Sequence, residues 1–281
     1  MEADFTLVPF GGLGNRMYAI CSAIAYCQKN KKSLKIIWFR DHNLNCSVSD
    51  LFTISAEMEF VDLKDASLMD LILRDNPRRR NLWIPKFFQR FLFDRRIYVP
   101  EVYDVVSIHK KESFGDLEKF KHIFMVSYWY FYSTPNMWKP ITINPKIEVR
   151  VNEIMEKCRK SNSRVIGVHI RRTDNIYSIK ESPTELFIFK MEEEVKHNKG
   201  NVCFYLASDS LEVKKELVSR FGNQIITSMK PTSRNNKQGI IDAFVELNIL
   251  SRTDKIYASS KSSFSELAHY LSNNEFEIVR K

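Results

Sequence analysis

Apolar and polar positions alternate most regularly in the second half of the chain. Apolar runs rich in β-branched residues predict strands there, and the amphipathic stretches between them predict helices. The predicted strands are 164–169, 202–207, 225–227 and 255–258, and the predicted helices are 144–160, 182–197, 211–221, 238–250 and 264–271. Strands separated by helices are typical of a parallel sheet, so this half predicts an α/β domain.

The first half of the chain is less regular. Residues 5–10 and 34–39 predict strands, and weaker strand signals follow at 58–61 and 123–126. A glycine-rich turn at 11–16 separates the first strand from a helix that runs from 17 to about 30. The change in regularity near Pro140 to Pro145 predicts two domains, 1–142 and 143–281.

Length and composition describe a globular protein. The chain has 281 residues, 44% of them hydrophobic, which is enough for one large or two modest domains. The acidic start is unlike a secretory signal, and no apolar stretch approaches the ~20 residues that span a bilayer.

The cysteines are odd in number and include no Cys-x-x-Cys pair, which argues against a disulfide framework or a zinc site and favours a cytoplasmic protein. They are Cys21, Cys27, Cys46, Cys158 and Cys203.

The net charge of +9 favours anionic partners, which include nucleotides, nucleic acids, acidic glycans and membrane surfaces. Part of the excess lies at 78–96, where seven cations interleave with aromatic residues. One interpretation is an amphipathic helix on anionic lipid, with Phe87, Phe88 and Phe91 on one face. The alternative is a helix whose aromatic face packs on the domain while its cations stay solvated.

Two adjacent arginines follow the strand at 164–169. Arg171 and Arg172 stand at its carboxyl end, and Asp174 comes two residues later. Ligands of open α/β sheets bind beyond the carboxyl ends of the strands, and guanidinium groups suit phosphate oxygens. The two arginines therefore predict recognition of a diphosphate. The alternative is that both are solvated at the strand end and form an ion pair with Asp174.

Polar groups follow two further strands of the same predicted sheet. Asp209 ends the strand at 202–207, and a serine-rich turn at 259–263 follows the strand at 255–258. Each has a plainer explanation as a helix N-cap, and the glycine turn at 11–16 could equally be a tight structural turn. Three strand ends with suitable groups nevertheless predict a nucleotide cleft. No pair of Asp or His residues has the spacing of metal ligands, so arginine would neutralise the phosphates.

Four segments resemble the α1,2-, α1,6- and protein O-fucosyltransferase superfamily. Segments 167–174, 204–210 and 250–265 are similar to its three ordered motifs, and 11–17 is similar to the N-terminal glycine turn of bacterial α1,2-type members. The resemblance implies a GT-B fold of two facing Rossmann-like α/β domains, the C-terminal one with a parallel sheet. It also implies GDP-fucose as donor, no metal or other cofactor, and transfer with inversion.

Matching positions carry the family's roles onto this chain. Arg171 matches the arginine that grips the diphosphate, Arg172 matches its partner, and His169 precedes them in the same motif. Asp209 and Asp242 resemble acidic residues on the nucleoside side, and Ser262 and Ser263 match phosphate-contacting serines. Asn15 would reach the diphosphate from the other domain, within the turn of Gly12, Gly14 and Arg16. The general base has no clean counterpart, which leaves Asp174 and Glu181 as candidates beside the catalytic Arg171.

These observations predict a glycosyltransferase that moves fucose from GDP-fucose to a hydroxyl of a glycan or glycolipid. The acceptor would lie on the N-terminal domain, and the protein would be cytoplasmic, with peripheral contact to an anionic inner membrane face. The first rival is a transferase of the same fold that uses another nucleotide sugar. The second is a basic nucleic-acid-binding protein, but no RNA-binding or helix-turn-helix signature supports it, so no nucleic-acid partner is expected.

Overall fold

The computed structural model of the protein describes residues 4–41, 44–74, 83–108, 116–133, 137–160, 163–173, 175–230, 236–272 and 274–281. The chain divides into two compact units. Unit 1 is Met1–Asn144 with Arg234–Lys237, and unit 2 is Pro145–Ser233 with Gln238–Lys281. Each unit has its own five-stranded sheet, and every strand pairing in both sheets is parallel.

Unit 1 is built on a sheet in the order β4-β2-β1-β6-β5, with a separate antiparallel pair, β3 and β7. Its central strand β1 is buried along its whole length, as expected for a parallel sheet covered on both faces. The elements are β1 Phe5–Pro9, α1 Leu13–Asn30, β2 Leu34–Trp38, β3 Phe52–Ile54, β4 Val61–Asp65, α2 Trp83–Leu92, β5 Arg95–Ile97, α3 Val99–Val102, β6 Ile123–Ser127 and β7 Ile141–Ile143.

Unit 2 has the sheet order β10-β9-β8-β11-β12, with β8 at its centre. Its strands alternate with helices as the hydrophobic pattern predicts, and the short helix at 176–181 and the last strand are additions to that prediction. The elements are α4 Pro145–Cys158, β8 Arg164–Ile170, α5 Ile176–Glu181, α6 Thr184–His197, β9 Val202–Ser208, α7 Leu211–Phe221, β10 Ile225–Thr227, α8 Lys237–Ser251, β11 Lys255–Ser259, α9 Ser263–Ser272 and β12 Glu275–Val279.

Gly167 lets the end of α8 approach the middle of β8. A Cβ atom at this position would lie 2.8 Å from Leu250 Cδ2 and 2.9 Å from Thr253 Oγ1, which is closer than van der Waals contact. Leu250 and Thr253 are both buried, so neither has room to withdraw. The missing side chain therefore helps to fix α8, and the turn that follows it, against the sheet.

Three predictions for the first half need correction. The first helix was expected from residue 17, but α1 begins at Leu13, inside the predicted glycine turn. The helix expected within 78–96 ends at Leu92, and the chain enters strand β5 at Arg95. The weak strand expected at 58–61 begins only at Val61 and continues to Asp65, where it pairs with β2. Arg78, Arg79 and Arg80 lie outside the described residues.

Each helix among the described residues is either too short or too polar to cross a membrane. The five cysteines are free thiols, and all of them are buried.

Candidate functional site in unit 2

The three predicted strand-end turns of unit 2 meet at one edge of its sheet. In β8, His169 is aligned with Ala207 of β9 on one side and with Ala258 of β11 on the other. The residues beyond are joined by hydrogen bonds. Arg171 N donates to Ser259 Oγ at 3.1 Å, and Arg172 N donates to Asp209 Oδ1 at 2.6 Å. The arginine turn is therefore bonded to both neighbouring turns.

Asp209 organises the arginine turn. Besides the bond from Arg172 N, its Oδ2 accepts hydrogen bonds from Thr173 Oγ1 at 2.7 Å and from Thr173 N at 3.3 Å. Burial alone would raise the pKa of Asp209, but these hydrogen bonds and the charge of Arg171 outweigh it and hold the pKa below its ordinary value. The side chain is an ionised brace at neutral pH, and its nucleoside-binding role stays a prediction.

The two arginines occupy different surroundings. The Arg172 guanidinium turns back into its own unit, where Nη1 donates to Arg171 O at 2.8 Å and Nη2 donates to Ser182 O at 2.8 Å. Its Nη2 also donates to Thr184 Oγ1 at 2.9 Å. Burial lowers the pKa of Arg172. Arg172 therefore links the arginine turn to the start of α6. Arg171 is half-buried, and its positive charge lowers the pKa values of His169 and Asp209.

His169 is a buried neutral imidazole. Burial, followed by the positive charge of Arg171, lowers the pKa of His169 to about 4. The ring lies against the ring of Phe264, with 5.1 Å between centroids, and Nδ1 is 3.4 Å from Ser262 Oγ. Ser262 is itself buried, immediately before α9, which begins at the half-buried Ser263. His169 thus joins the centre of the sheet to the start of α9.

The serine-rich turn is braced by Glu181. Its carboxylate accepts Ser260 Oγ at 2.6 Å and Lys261 Nζ at 3.0 Å. These hydrogen bonds hold the pKa of Glu181 below its ordinary value. A carboxylate with a lowered pKa and two donors is a poor general base, because both features oppose proton uptake. The other candidate base, Asp174, lies outside the described residues.

Two acidic residues stand one turn apart on α8. Asp242 is half-buried and accepts from Arg150 Nη2 at 2.5 Å and from Gln238 Nε2 at 2.9 Å. Glu246 is buried, and burial raises its pKa to about 7, although Lys214 Nζ lies 3.8 Å away. Sequence reasoning missed Glu246. The signal was present, since it is a lone carboxylate within the apolar run Phe244-Val245-Glu246-Leu247.

The glycine turn of unit 1 is held by Arg16. The guanidinium is fully buried and donates to Gly11 O at 2.9 Å, to Phe39 O at 2.5 Å and to Asp41 Oδ2 at 3.0 Å. It also lies 4.7 Å from the centroid of the Trp38 ring. Burial lowers the pKa of Arg16 to about 10. These contacts give Arg16 a structural role, and its donor-binding role stays a prediction.

The other predicted residues of this turn differ in access. Gly14 is buried inside α1, while Gly12 and Asn15 are half-buried. A Cβ atom built on Gly12 would meet nothing within 4 Å, so this position borders open space. Gly11 has a φ of +88°, which suits glycine, and a Cβ there would lie 3.0 Å from Asn15 Nδ2. Gly12 and Asn15 are therefore more accessible than Gly14 and Arg16, and the donor-binding role of all four stays a prediction.

Among the described residues, no group of three or more His, Cys, Asp or Glu side chains could hold a metal ion.

Comparison with known proteins finds similarity in structure. No protein-family model matches the chain, and no curated protein matches it in sequence. The solved fucosyltransferase NodZ from Bradyrhizobium has a TM-score of 0.61 and 16% identity, over 96% of this chain and 92% of that chain. NodZ α1,6-fucosyltransferase soaked with GDP-fucose has a TM-score of 0.59 and 16% identity, over 96% and 93%.

A second protein gives a similar result. POFUT1, a protein O-fucosyltransferase, in complex with GDP-fucose has a TM-score of 0.55 and 10% identity, over 98% of both chains. The chain therefore shares its α/β fold with these two fucosyltransferases, which are GT-B proteins. This confirms the fold that the four motifs imply, including the parallel sheet in the second half.

Proposed function

We propose that the protein is a glycosyltransferase that moves fucose from GDP-fucose to a hydroxyl group of a glycan or glycolipid. The observation that carries the proposal is the bonded set of turns beyond β8, β9 and β11, which presents Arg171 at the centre of the sheet edge. It occurs in a chain with the fold of two fucosyltransferases whose solved structures were obtained with GDP-fucose. Ligand binding at this edge is the general rule for open parallel sheets.

The donor diphosphate would lie against Arg171 and the start of α9. A guanidinium matches two phosphate oxygens with parallel hydrogen bonds, and the free N–H groups at a helix N-terminus favour the same charge. Ser262 and Ser263 stand at that helix start, and Ser262 is positioned by His169. Arg172 would contribute indirectly, because its guanidinium binds backbone oxygens and so anchors the turn that carries Arg171.

The reaction itself needs charge stabilisation more than covalent chemistry from the protein. The acceptor oxygen attacks the anomeric carbon of fucose from the face opposite the leaving group, so the configuration inverts. The bond from that carbon to the β-phosphate oxygen breaks, and its electron pair leaves with GDP. Arg171 would bind the phosphate where this negative charge grows, without a metal ion, and one such fixed contact is worth about 100-fold or more in rate.

The acceptor proton needs a base, and the two candidates can be separated by experiment. Glu181 is already committed to Ser260 and Lys261, so Glu181→Gln should change transfer less than Asp174→Asn if Asp174 is the base. Loss of a true general base lowers turnover by about 100- to 10,000-fold. If Glu181→Gln alone gave the larger loss, Glu181 would be the base and would have to exchange its partners during turnover.

The test of the function begins with the donor. Calorimetry should show saturable binding of GDP and GDP-fucose, with GDP-mannose and UDP-sugars weaker, and donor hydrolysis should release GDP. Arg171→Ala should lower turnover about 100-fold or more with unfolding unchanged. The matched control is Arg220→Ala on α7, whose guanidinium pairs with Glu192. Near-normal hydrolysis by Arg171→Ala, or no response to GDP by the native chain, would refute the proposal.

A further inference from the structure

Helix α2 exposes the side chains of three phenylalanines. Phe87, Phe88 and Phe91 are 41%, 49% and 70% exposed. Within 85–92, the part of α2 whose side chains are described, Gln89 is fully buried; its Nε2 donates to Ile72 O at 2.6 Å and its Oε1 accepts from Tyr98 Oη at 2.6 Å. In this part of the helix a polar residue packs on the unit and the phenylalanines are exposed, the reverse of the usual amphipathic helix in a globular protein.

The helical spacing separates an apolar face from a cationic flank. At ~100° per residue, Phe87, Phe88, Phe91 and Leu92 fall within an arc of about 140°. Lys86 and Arg90 lie at the side of this arc and are exposed. The Arg90 guanidinium is 6.0 Å from the Phe87 ring centroid and 5.7 Å from that of Phe91. Charge and aromatic surface thus occur side by side.

A neighbouring segment extends the apolar surface. The short 3₁₀ helix Leu68–Leu73 touches α2 through the Gln89 bond, and its residues Leu68 and Met69 are almost fully exposed. Large exposed apolar surface of this kind marks an interaction site in soluble proteins. We define the apolar patch by its exposed members. These are Leu68, Met69, Leu71, Ile72, Phe87, Phe88, Phe91 and Leu92.

We propose that the apolar patch docks unit 1 onto the surface of a bilayer that contains anionic lipid. Aromatic and aliphatic side chains partition into the headgroup boundary, and cations beside them bind anionic headgroups. Arg74, Lys86 and Arg90 are exposed next to the patch and supply that charge. The exposure of Phe87, Phe88 and Phe91 contradicts the alternative in which the aromatic face of this helix packs on the domain.

Charge also argues against a second copy of the chain as the occupant. A symmetric dimer across the patch would bring the same cations of both copies together, and like charges at an interface are unfavourable. A chain with a net charge of +9 would add to that repulsion. An anionic bilayer instead attracts these cations, and each cation near its surface strengthens binding by about fivefold.

The experiment measures flotation of the full chain with vesicles. Phosphatidylcholine vesicles with about one third phosphatidylglycerol should carry the protein upward, while phosphatidylcholine alone should carry much less. Phe88→Ser with Phe91→Ser should lower binding at least tenfold. Arg90→Glu should lower it about tenfold or more, and about 0.5 M NaCl should weaken the native chain similarly. These variants should keep native thermal unfolding and donor hydrolysis, because the side chains are exposed and far in sequence from the donor site.

Matched controls use exposed residues of unit 2. Phe189→Ser on α6 removes an aromatic side chain that is 56% exposed, and Lys215→Glu on α7 reverses an exposed cation. Both should float like the native chain. Equal flotation by the Phe88→Ser, Phe91→Ser double variant and the native chain would overturn the proposal. So would a concentration-dependent dimer, without lipid binding, that this double variant abolishes.

Discussion

The start of α1 in unit 1 and the turn after β8 in unit 2 both carry arginine, and each is linked by hydrogen bonds to the loop after a neighbouring strand. In unit 1 the link is made by the Arg16 side chain, which donates hydrogen bonds to Phe39 O and Asp41 Oδ2 beyond β2. In unit 2 it is made by the Asp209 side chain, which accepts from the backbone of Arg172 and Thr173. A cation at a strand end is thus a brace in one case and a candidate ligand group in the other.

Two of these arginines have side chains that brace the fold. Arg16 and Arg172 are surrounded by carbonyl, carboxylate or hydroxyl oxygens of their own unit. In unit 2 the Asp209 carboxylate also helps to fix the arginine turn, because it accepts hydrogen bonds from two backbone N–H groups of that turn. Residue type at a strand end therefore does not identify a phosphate contact until the surroundings are known.

The largest expected effect comes from breaking the brace of unit 1. Arg16→Ala would leave Asp41 without its cation and remove the donors to the carbonyl oxygens of Gly11 and Phe39. Removing one partner of a buried pair costs about 3–5 kcal/mol. We expect the free energy of unfolding, measured with urea, to fall by that amount.

The matched control for Arg16 is an arginine whose ion pair is exposed. Arg159 pairs with Asp254 at 2.9 Å, and both side chains are well exposed. Arg159→Ala should therefore cost less than about 1 kcal/mol. Equal losses in the two variants would mean that the buried contacts of Arg16 contribute no more than a surface pair.

The next effect is a pH dependence that belongs to unit 2. Above pH 6.5 the His169 imidazole is neutral in the folded and unfolded chains. As the pH falls from 6.5 toward 4 the unfolded chain binds the proton first, so the folded state loses stability, by about 3 kcal/mol in total. NMR should place the His169 titration near pH 4. His169→Asn should lose this part of the pH dependence, and an ordinary titration of His169 near 6.5 would contradict the prediction.

The smallest effect compares one glycine from each unit. Gly167→Ala would force its methyl group against Leu250 and Thr253, at a cost of about 1–3 kcal/mol. Gly12 has a φ of −73° and open space around it, so Gly12→Ala should change the free energy of unfolding by less than about 0.5 kcal/mol. If the turn approaches the donor, the same methyl group should weaken GDP binding in calorimetry. An equal stability loss in both variants would contradict the assignment of Gly167 as a packing position.

The hydrophobic pattern predicted unit 2 well because its strands and helices are long and mostly buried. Residues 211–221 form α7 as expected, and β9 extends the predicted 202–207 by one residue. β12 was missed, since an edge strand with the alternating sequence Glu275-Phe276-Glu277-Ile278 is only partly buried and depends on pairing with β11. β5 was missed for a related reason, because three residues inside a cationic aromatic stretch form a strand only beside β6.

Local sequence also located the candidate site better than it distinguished the residues within it. The order of elements alone brought the turns after β8, β9 and β11 to one edge. It could not show that Arg172 would turn inward to Ser182 and Thr184, because those contacts depend on where α6 begins. In α2 the spacing found the aromatic face, but the buried hydrogen bonds of Gln89 decide which face packs.

The interior position of all five thiols has a practical consequence for watching this protein at work. Maleimide reagents need an accessible thiolate, and burial raises the pKa of Cys21, Cys27 and Cys46. The native chain should therefore react slowly with such reagents. One cysteine introduced on an exposed surface could then carry a fluorophore or a spin label without removal of the natural ones.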